Sequence, residues 1–362
     1  MKISQDKVAV GLSGGVDSTV AAYLLKKQGY EVIGITMHLF NELDEKGKIK
    51  EPQFIKDAKN IAKLLGIPHY VLDLRQEFET TVKNEFINEY LNGRTPNPCI
   101  TCNKKIKYGK LLEAANDLGA YYIATGHFAN ITYDKELKRY RIFTGKANRK
   151  DQSYVLYSLT QNQLKHVILP LGLFKSKIEV REIASKIDER ISSKSDSMGV
   201  CFIPDGDYGK YISKEKPQLV KKGKFVDING NIIGEHKGIV NYTIGQRRGL
   251  GEYFNKPMFV IEIDAKKNVV VLGDDEDTYS KGLIGKDANF TLFDELNGEI
   301  QAGVKVCQWG WLLPATIIGL GNGKIKVSFH KKERAIAPGQ SVVLFKGNEI
   351  IGGAKIESVI KN

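Results

Sequence analysis

The sequence predicts an α/β N-terminal domain with a parallel sheet, then a small β-rich domain, then an antiparallel barrel or sandwich. Three observations predict this fold class: apolar runs alternate with helical patterns up to about residue 205, hairpin signals follow, and short strand-like runs fill the C-terminal part. Because 362 residues exceed one typical core, we expect three domains, at residues 1–205, 206–280 and 281–362.

The N-terminal domain begins with the apolar run KVAVGL, the Gly-rich SGGVDS and a helical pattern that Gly29 closes. Two more strand-like runs, EVIGITMHLF (31–40) and HYVLDL (69–74), flank the helix-like FIKDAKNIAKLLG. Further on come the loop NGRTPNPCITC, a helix that Asn103 caps, and the strand YYIATGH. Alternating strands and helices indicate a parallel sheet with helices on its faces.

The rest of the chain has the signals of antiparallel strands. In FVDINGNIIG the pair Asn229 and Gly230 separates two short runs, and VIEIDAKKNVVVLG repeats the pattern, so we predict two hairpins. KIKVSFH, SVVLFKG and EIIGGAKI follow, broken by Gly and Asn. This texture is typical of a barrel or sandwich of short strands.

Composition restricts the class of protein and its partners. Charged residues make up 27% of the chain, no apolar stretch approaches the length of a membrane helix, and the N-terminus has no signal-peptide pattern. We therefore predict a cytoplasmic protein without a membrane partner. The formal net charge of +12 favours a polyanionic partner, with nucleic acid as the leading candidate.

The turn between the first strand and the first helix has the features of a phosphate cradle. Its glycines let backbone N–H groups approach an anion, its serines add hydroxyl donors, and the helix N-terminus adds its dipole. Asp17 supplies a carboxylate for a magnesium ion beside the phosphates. The loop is not a Walker A motif, because no Lys-Ser or Lys-Thr follows the glycines.

Three of the four cysteines lie in predicted loops of the N-terminal domain. Cys99 and Cys102 form a C-x-x-C just before a predicted helix, beside Lys104 and Lys105, so we expect a lowered thiol pKa there. Cys201 follows about a hundred residues later, also in a predicted loop. Three cysteines in loops of one α/β domain suggest a shared site. A thioredoxin-like motif needs a different βαβ start, and a zinc site needs a fourth ligand. We take Cys307 as structural.

The chain resembles the tRNA-specific 2-thiouridylases, a family of pyrophosphatase-loop ATPases, in motifs that follow in order from residue 11 to residue 343. The motifs are GLSGGVDS, RTPNP-C-x-x-C-N-K-x-I-K, ATGHFA, KDQSYVLYSL, DSMGVCFI, YTIGQRRGLG and APGQSVV. The resemblance implies an adenine nucleotide alpha hydrolase-like domain, a small central domain and a C-terminal β-barrel. It also implies that ATP adenylates the C2 oxygen of the wobble uridine and that a persulfide sulfur replaces it, releasing AMP and pyrophosphate.

The resemblance assigns roles to particular residues. Cys201 matches the persulfide-bearing cysteine and Cys102 its partner thiol, which either frees hydrosulfide from the persulfide or resolves the intermediate by forming a disulfide with Cys201. ATP contacts are implied for Gly11, Leu12, Ser13, Gly14, Gly15, Val16, Asp17, Ser18, Met37 and Gly126. Contacts to tRNA are implied for Asn97, Pro98, Cys99, His127, Lys150, Asp151, Gln152 and Gln340. A sulfur-donor protein, either a cysteine desulfurase or a sulfur relay protein, is implied as a partner.

Two departures from the family pattern matter. Cys99 stands where familiar members often carry aspartate, so Cys99, Cys102 and Cys201 together offer three thiolates that suit a [4Fe-4S] cluster. The sequence therefore leaves a cluster mechanism open beside the persulfide mechanism. The second departure is KVCQWGWLLPATI, where the family usually shows a basic-aromatic pair for tRNA.

Two rival functions follow from the same residues. Another adenylating synthetase of the superfamily uses an amine nucleophile, for which paired thiols have no task. An RNA-binding module with an inactive nucleotide site does not need both an intact SGGVDS and the cysteines. ATP consumption that depends on tRNA distinguishes these alternatives.

Overall fold

The computed structural model of the chain describes residues 3–43, 48–196, 199–251, 254 and 256–361. Ser197 and Met198 of the DSMGVCFI motif lie outside the described residues. The chain divides into two compact units. The first comprises Met1–Val82, Cys99–Met198 and Gly347–Ile351, and the second comprises Lys83–Pro98, Gly199–Lys346 and Gly352–Asn362.

The first unit is built on a parallel sheet, as the sequence predicts. Its strands are β1 (Ser4–Gly11), β2 (Glu31–His38), β3 (Glu42–Leu43), β4 (Ile49–Lys50), β5 (His69–Asp73), β6 (Ala120–Ala124), β7 (Ala129–Asp134), β8 (Arg139–Thr144) and β9 (Val167–Ile168). The parallel sheet has the order β5-β2-β1-β6-β9. The α/β prediction is confirmed. Strands β7 and β8 are not part of the parallel sheet and pair with each other as an antiparallel hairpin.

Helices connect these strands, several of them short. The α-helices of the whole chain are α1 (Val16–Lys27), α2 (Gln53–Leu65), α3 (Arg75–Phe78), α4 (Asn84–Leu91), α5 (Pro98–Thr101), α6 (Leu111–Asp117), α7 (Gln161–Leu164), α8 (Lys177–Ile187), α9 (Glu189–Ser192) and α10 (Tyr208–Glu215). Two π-helices span Glu79–Lys83 and Cys102–Lys110, and 3-10 turns span Asn148–Lys150, Ser153–Leu156, Pro217–Leu219, Ile239–Asn241 and Glu276–Thr278.

The core of the first unit lies between the parallel sheet and α1, α2 and α8. Val8 and Val10 of β1 are fully buried against Val20 and Leu25 of α1 in one apolar cluster. Gly29 adopts a φ of +92° just after α1, which agrees with its predicted role as the helix stop. Because the strands are covered by helices, the loops at their carboxyl ends are the positions left for a site.

The second unit contains a small sheet followed by a barrel. Its strands are β10 (Gly223–Val226), β11 (Ile232–His236), β12 (Phe259–Asp264), β13 (Val269–Gly273), β14 (Tyr279–Phe290), β15 (Glu299–Lys305), β16 (Leu313–Gly321), β17 (Lys324–Arg334), β18 (Ser341–Lys346) and β19 (Glu349–Ile360), whose first three residues belong to the first unit. The small sheet has the order β11-β10-β13-β12, and both predicted hairpins are present as antiparallel pairs.

The C-terminal strands close into an antiparallel barrel. They follow one another in the order β14-β17-β16-β15-β18-β19, and β14 pairs again with β19. Closure removes the exposed sheet edges, which selects the barrel over the sandwich. The domain boundaries at residues 205 and 280 stay a prediction.

Candidate functional site

The predicted phosphate loop, residues 11–18, joins β1 to α1. Gly15 is the N-cap of α1 and contributes no side chain to cover the first N–H groups. Gly14 has a φ of +76°, and a Cβ there would lie 2.8 Å from atoms of α2, so only glycine fits. Ser13 Oγ and Ser18 Oγ lie 3.1 Å apart. These contacts shape the loop around a helix N-terminus, where an anion is stabilised.

Two other predicted nucleotide contacts lie at the ends of strands that flank β1. Gly126 follows β6, and a Cβ there would lie 2.6 Å from Asp17 Cβ and 3.0 Å from the Ser18 nitrogen. Met37 is half-buried near the end of β2. Because β2 and β6 flank β1, the strand order reverses at β1, and this is the crevice where open α/β sheets bind ligands.

A network of ion pairs surrounds Asp17. The Lys177 ammonium lies 2.5 Å from Asp17 Oδ1 and 3.2 Å from Asp196 Oδ1, and its side chain is only 12% exposed. Burial raises the pKa of the Asp17 carboxyl, against the hydrogen bond from Lys177. Burial also opposes ionisation of Asp196, but hydrogen bonds from Lys150 and Lys177 outweigh it and lower the pKa of Asp196 to about 2.

Two further cations hold the segment that ends at Asp196: Lys194 bonds it to the phosphate loop, and Arg181 bonds it to α8. Lys194 Nζ donates to the Gly14 carbonyl oxygen at 2.8 Å and to Asp57 Oδ2 at 2.6 Å. Arg181 donates to the Lys194 carbonyl oxygen and to Asp196 Oδ1, both at 2.8 Å. The sequence analysis missed these residues because they lie far along the chain from the loop. The density of basic residues in KSKIEVREIASK signalled Arg181, and no such local signal marked Lys194.

The helix that carries the first two cysteines begins earlier than predicted. It begins at Pro98 in α5, continues through the π-helix Cys102–Lys110 and ends in α6, so Cys99 and Cys102 lie inside it. Proline is well suited to a first helical position. The prediction that Asn103 caps the helix is wrong, because Asn103 is buried and its amide donates to the Val155 carbonyl oxygen at 3.1 Å.

The expectation of a lowered thiol pKa is wrong for Cys99. Desolvation of the thiol raises the pKa of Cys99, although part of the residue is exposed, and the positive charge of Lys107 opposes this only in part. Cys102 is buried, while Cys99 and Cys201 are exposed. None of the four cysteines, all of which are described, forms a disulfide. The helix start therefore does not by itself activate the Cys99 thiol.

His127 is buried within a triangle of hydrogen bonds. Its Nδ1 lies 2.7 Å from Thr125 Oγ1 and 3.0 Å from the Tyr108 hydroxyl, and those two oxygens lie 2.8 Å apart. Burial lowers the pKa of His127 well below its usual value, so the ring is neutral near pH 7. A neutral, fixed imidazole can contribute only hydrogen bonds to a neighbouring ligand.

The predicted tRNA contacts Lys150, Asp151 and Gln152 bond to residues at the two ends of the β7–β8 hairpin and to Asp196. Asp151 accepts from the Gly145 nitrogen at 2.9 Å, and Gln152 Oε1 accepts from the Phe128 nitrogen at 3.1 Å. Lys150 donates to Asp196 at 2.7 Å. The structure thus gives these side chains partners inside the first unit, and their contact with tRNA stays a prediction.

In the second unit, Cys201 lies in a turn between buried apolar residues. Val200 and Ile203 belong to the apolar cluster around Phe86, and the Ile203 nitrogen donates to the Val200 carbonyl oxygen at 2.9 Å. The Phe202 ring packs edge-on against Phe86 at 5.5 Å. These anchors on both sides hold the exposed Cys201 at the surface of the unit.

The barrel holds the loop that carries Asn97 and Pro98. Gln340 Nε2 donates to the Thr95 carbonyl oxygen at 3.0 Å, and the Thr95 nitrogen donates to the Pro338 carbonyl oxygen at 2.8 Å. Gln340, predicted from the resemblance as a tRNA contact, therefore positions the loop before the cysteine helix.

The stretch that departs from the family pattern is the loop between β15 and β16. It contains both tryptophans of the chain, Trp309 and Trp311, which are 72% and 87% exposed. Cys307 begins the turn that precedes them and is itself exposed. The loop therefore does not bury Cys307, as a structural role for a small apolar residue would require.

A glycine-capped anion loop at the switch point of a parallel sheet is the geometry of a nucleotide-binding protein. The family model described as tRNA methyl transferase HUP domain matches residues 6–205, that described as tRNA methyl transferase PRC-barrel domain matches 210–274, and that described as Aminomethyltransferase beta-barrel domain matches 280–356. The chain belongs to the tRNA-specific 2-thiouridylase family, which confirms the resemblance.

Similar proteins match along the whole chain. The tRNA-specific 2-thiouridylase MnmA of Clostridium botulinum is 49% identical over 364 residues, which covers 99% of this chain and 100% of that protein. MnmA 1 of Caldanaerobacter subterraneus is 47% identical over 98% of this chain and 99% of its own length. MnmA of Acetivibrio thermocellus is 46% identical over 98% and 100%, respectively. Among the described residues, no helix is long and apolar enough to cross a membrane.

Proposed function

We propose that this chain is an ATP-dependent tRNA-uridine 2-sulfurtransferase. It adenylates the C2 oxygen of the wobble uridine, replaces that oxygen by sulfur, and releases AMP and pyrophosphate. The observation that carries the proposal is the glycine-capped loop at the switch point of the sheet, in a chain similar over its whole length to tRNA-specific 2-thiouridylases. We also propose that it acts in the cytoplasm, where tRNA and ATP are available.

ATP binds, in this proposal, with its phosphates on residues 11–18 and its nucleoside beside Met37 and Gly126. The N–H groups at the start of α1 and the hydroxyls of the loop hold the phosphates. We add Lys177, whose ammonium lies beside Asp17 at this helix start, as a phosphate-binding residue. When bound, a magnesium ion neutralises phosphate charge, and the carboxylate of Asp17 is the ligand available to it.

Sulfur transfer uses Cys201 and Cys102. The terminal sulfur of a Cys201 persulfide attacks C2, and AMP leaves with the former uracil oxygen. The Cys102 thiolate then attacks Cys201 Sγ, which releases 2-thiouridine and forms a disulfide. A thiol reductant returns both cysteines to thiols, and a cysteine desulfurase or sulfur relay protein renews the persulfide. A thiolate is the strongest common nucleophile in proteins near neutral pH.

The cluster mechanism is the alternative within the same reaction. Cys99 and Cys102 lie one helical turn apart, which suits two ligands of a [4Fe-4S] cluster, and Cys201 is the candidate for the third. Within the described residues of the first unit, no group of three His, Cys, Asp or Glu side chains lies together. We favour the persulfide scheme, in which Cys99 contacts the target base with Asn97 and Pro98.

The remaining tRNA contacts are His127, Lys150, Asp151, Gln152 and Gln340. Gln340 supports the base-contacting loop from the barrel side, as its bond to Thr95 suggests. His127 is buried, so its part is a hydrogen bond from a neutral ring.

One experiment tests the reaction and the sulfur mechanism together. The protein is purified without oxygen, iron and sulfide are measured, and each Cys→Ser variant is assayed for tRNA 2-thiouridine by nucleoside mass spectrometry. We expect Cys102→Ser and Cys201→Ser to be inactive, Cys99→Ser to keep substantial activity, and the exposed Cys307→Ser to serve as the matched control. ADP and phosphate as products would contradict the adenylating class. About four irons per chain with an inactive Cys99→Ser would favour the cluster.

A further inference from the structure

The YTIGQRRGLG motif forms a rigid turn in the second unit. The Gln246 nitrogen donates to the Thr243 carbonyl oxygen at 3.0 Å, and the Gln246 side chain bonds the Thr243 nitrogen and the Arg248 carbonyl oxygen, also at 3.0 Å. The Gly245 nitrogen and the Gln246 carbonyl oxygen pair with both polar groups of Val260 in β12. The turn is therefore fixed from inside and anchored to the small sheet.

Two exposed arginines, Arg247 and Arg248, lie on this fixed turn. Among the described residues, neither guanidinium has an ion pair. The exposed Lys237 adds a third positive charge, since its Cε lies 4.0 Å from the Cβ position of Gly251. Most exposed cations on mobile side chains are simply hydrated, but here the backbone that carries both arginines is held by hydrogen bonds. Two neighbouring guanidiniums on a fixed backbone suit bidentate contacts with phosphate oxygens.

The turn lies beside the loop that leads to Asn97 and Pro98. Thr95 Oγ1 donates to Thr243 Oγ1 at 3.4 Å, and the hydroxyl of Tyr90, in the helix before that loop, also bonds Thr243. All of these residues belong to the second unit. An RNA strand that places its base against Asn97 and Pro98 therefore has its adjoining backbone near the arginine turn.

We propose that Arg247 and Arg248 form a phosphate clamp for the tRNA backbone next to the target nucleotide. Each planar guanidinium binds a phosphodiester in a bidentate manner, and the clamp fixes the register of the strand while the Asn97 loop contacts the base. The ligand class is the RNA phosphodiester, and no base is read by the clamp. This inference rests on the proposed function, because it takes tRNA as the substrate.

The test compares two charge-matched double variants of the full-length protein. Arg247→Ala/Arg248→Ala removes the clamp, and Lys221→Ala/Lys222→Ala removes two exposed cations from the same small domain. Binding of an unmodified tRNA transcript is measured by fluorescence anisotropy over a series of KCl concentrations. We expect the clamp variant to bind roughly tenfold or more weakly and to lose about 1.5 from the magnitude of the log-log salt slope, whereas the control loses much less. Arg247→Lys/Arg248→Lys should keep the slope and lose affinity.

Additional measurements separate the clamp from folding and from the proposed function. Thermal melting and the ATP KM of the clamp variant should equal those of the wild type. If the clamp variant and the control change the salt slope equally, or if the ATP KM rises while tRNA binding is unchanged, the clamp is refuted. Thiolation of tRNA by the wild type tests the proposed function separately, so its failure is distinguishable from that of the clamp.

Discussion

Replacing Lys177 by methionine should weaken ATP binding strongly and lower the stability of the protein modestly. The ammonium lies 2.5 Å from Asp17 at the helix start where we place the phosphates, and the side chain is 12% exposed. A hydrogen bond to a charged partner contributes about 1.5–3 kcal/mol, so we expect the Kd for ATP to rise on the order of 10- to 150-fold. Lys177→Arg keeps the charge and should recover part of the loss.

The stability cost of Lys177→Met follows from the same geometry. Asp196 keeps its pairs with Lys150 and Arg181, whereas Asp17 loses the cation that donates to it. Asp17 is 35% exposed and its partner 12%, so the pair lies between the exposed and the buried case and the loss should be about 1–2 kcal/mol. The substitution should therefore lower the melting temperature by only a few degrees.

Lys7→Met is the matched control. Lys7 is 15% exposed and pairs with Glu31 at 2.9 Å, in the middle of β1 and four residues before the phosphate loop begins. Titration calorimetry with a non-hydrolysable ATP analogue measures the affinity of each variant, and thermal melting measures its stability. If Lys7→Met and Lys177→Met weaken ATP binding equally, or if neither does, the assignment of Lys177 to the phosphates is refuted.

Three other predictions concern the same unit. Because burial lowers the pKa of His127, the unfolded chain binds this proton first on acidification, and stability should fall below about pH 6.5 by about 1.4 kcal/mol per pH unit from this residue. His127→Gln should reduce that slope in urea titrations at several pH values, and an unchanged slope would contradict the burial argument. Gly126→Ala should weaken ATP binding strongly, because its Cβ would overlap the start of α1, and normal binding would show that α1 moves freely. Asp17→Ala should abolish release of pyrophosphate, which a coupled assay measures, and full turnover would exclude Asp17 as a metal ligand.

The parts of the fold that sequence could predict depend on local patterns. Strand and helix alternation predicted the parallel sheet, and Asn229 with Gly230 predicted the first hairpin of the small sheet, since these signals act between neighbours in the chain. The Gly-rich turn was likewise recognisable, because Gly14 needs a positive φ and has no space for a Cβ. Each of these features is determined within a few residues of the motif that predicts it.

The cysteine helix could not be predicted because a tertiary contact overrides the local signal. The prolines of RTPNP indicate a loop, and Asn103 is a good N-cap by propensity. In the structure, its amide is drawn to the Val155 carbonyl oxygen, 52 residues away, and the helix begins at Pro98 instead. Cys99 is thereby placed within the first turn, where its thiol has a raised pKa.

The cations around the phosphate loop could not be predicted, because their contacts are also made between residues far apart in the chain. Lys177 and Lys194 contact Asp17 and Gly14 across 160 and 180 residues, distances over which sequence carries no pairing signal. A ligand that recruits Lys177 or displaces the Gly14 carbonyl oxygen changes the anchors of residues 194–196, which lie in the same unit as the loop. Linkage requires that the position of this segment changes ATP affinity in return, so ATP binding and the order of residues 194–196 are expected to be coupled.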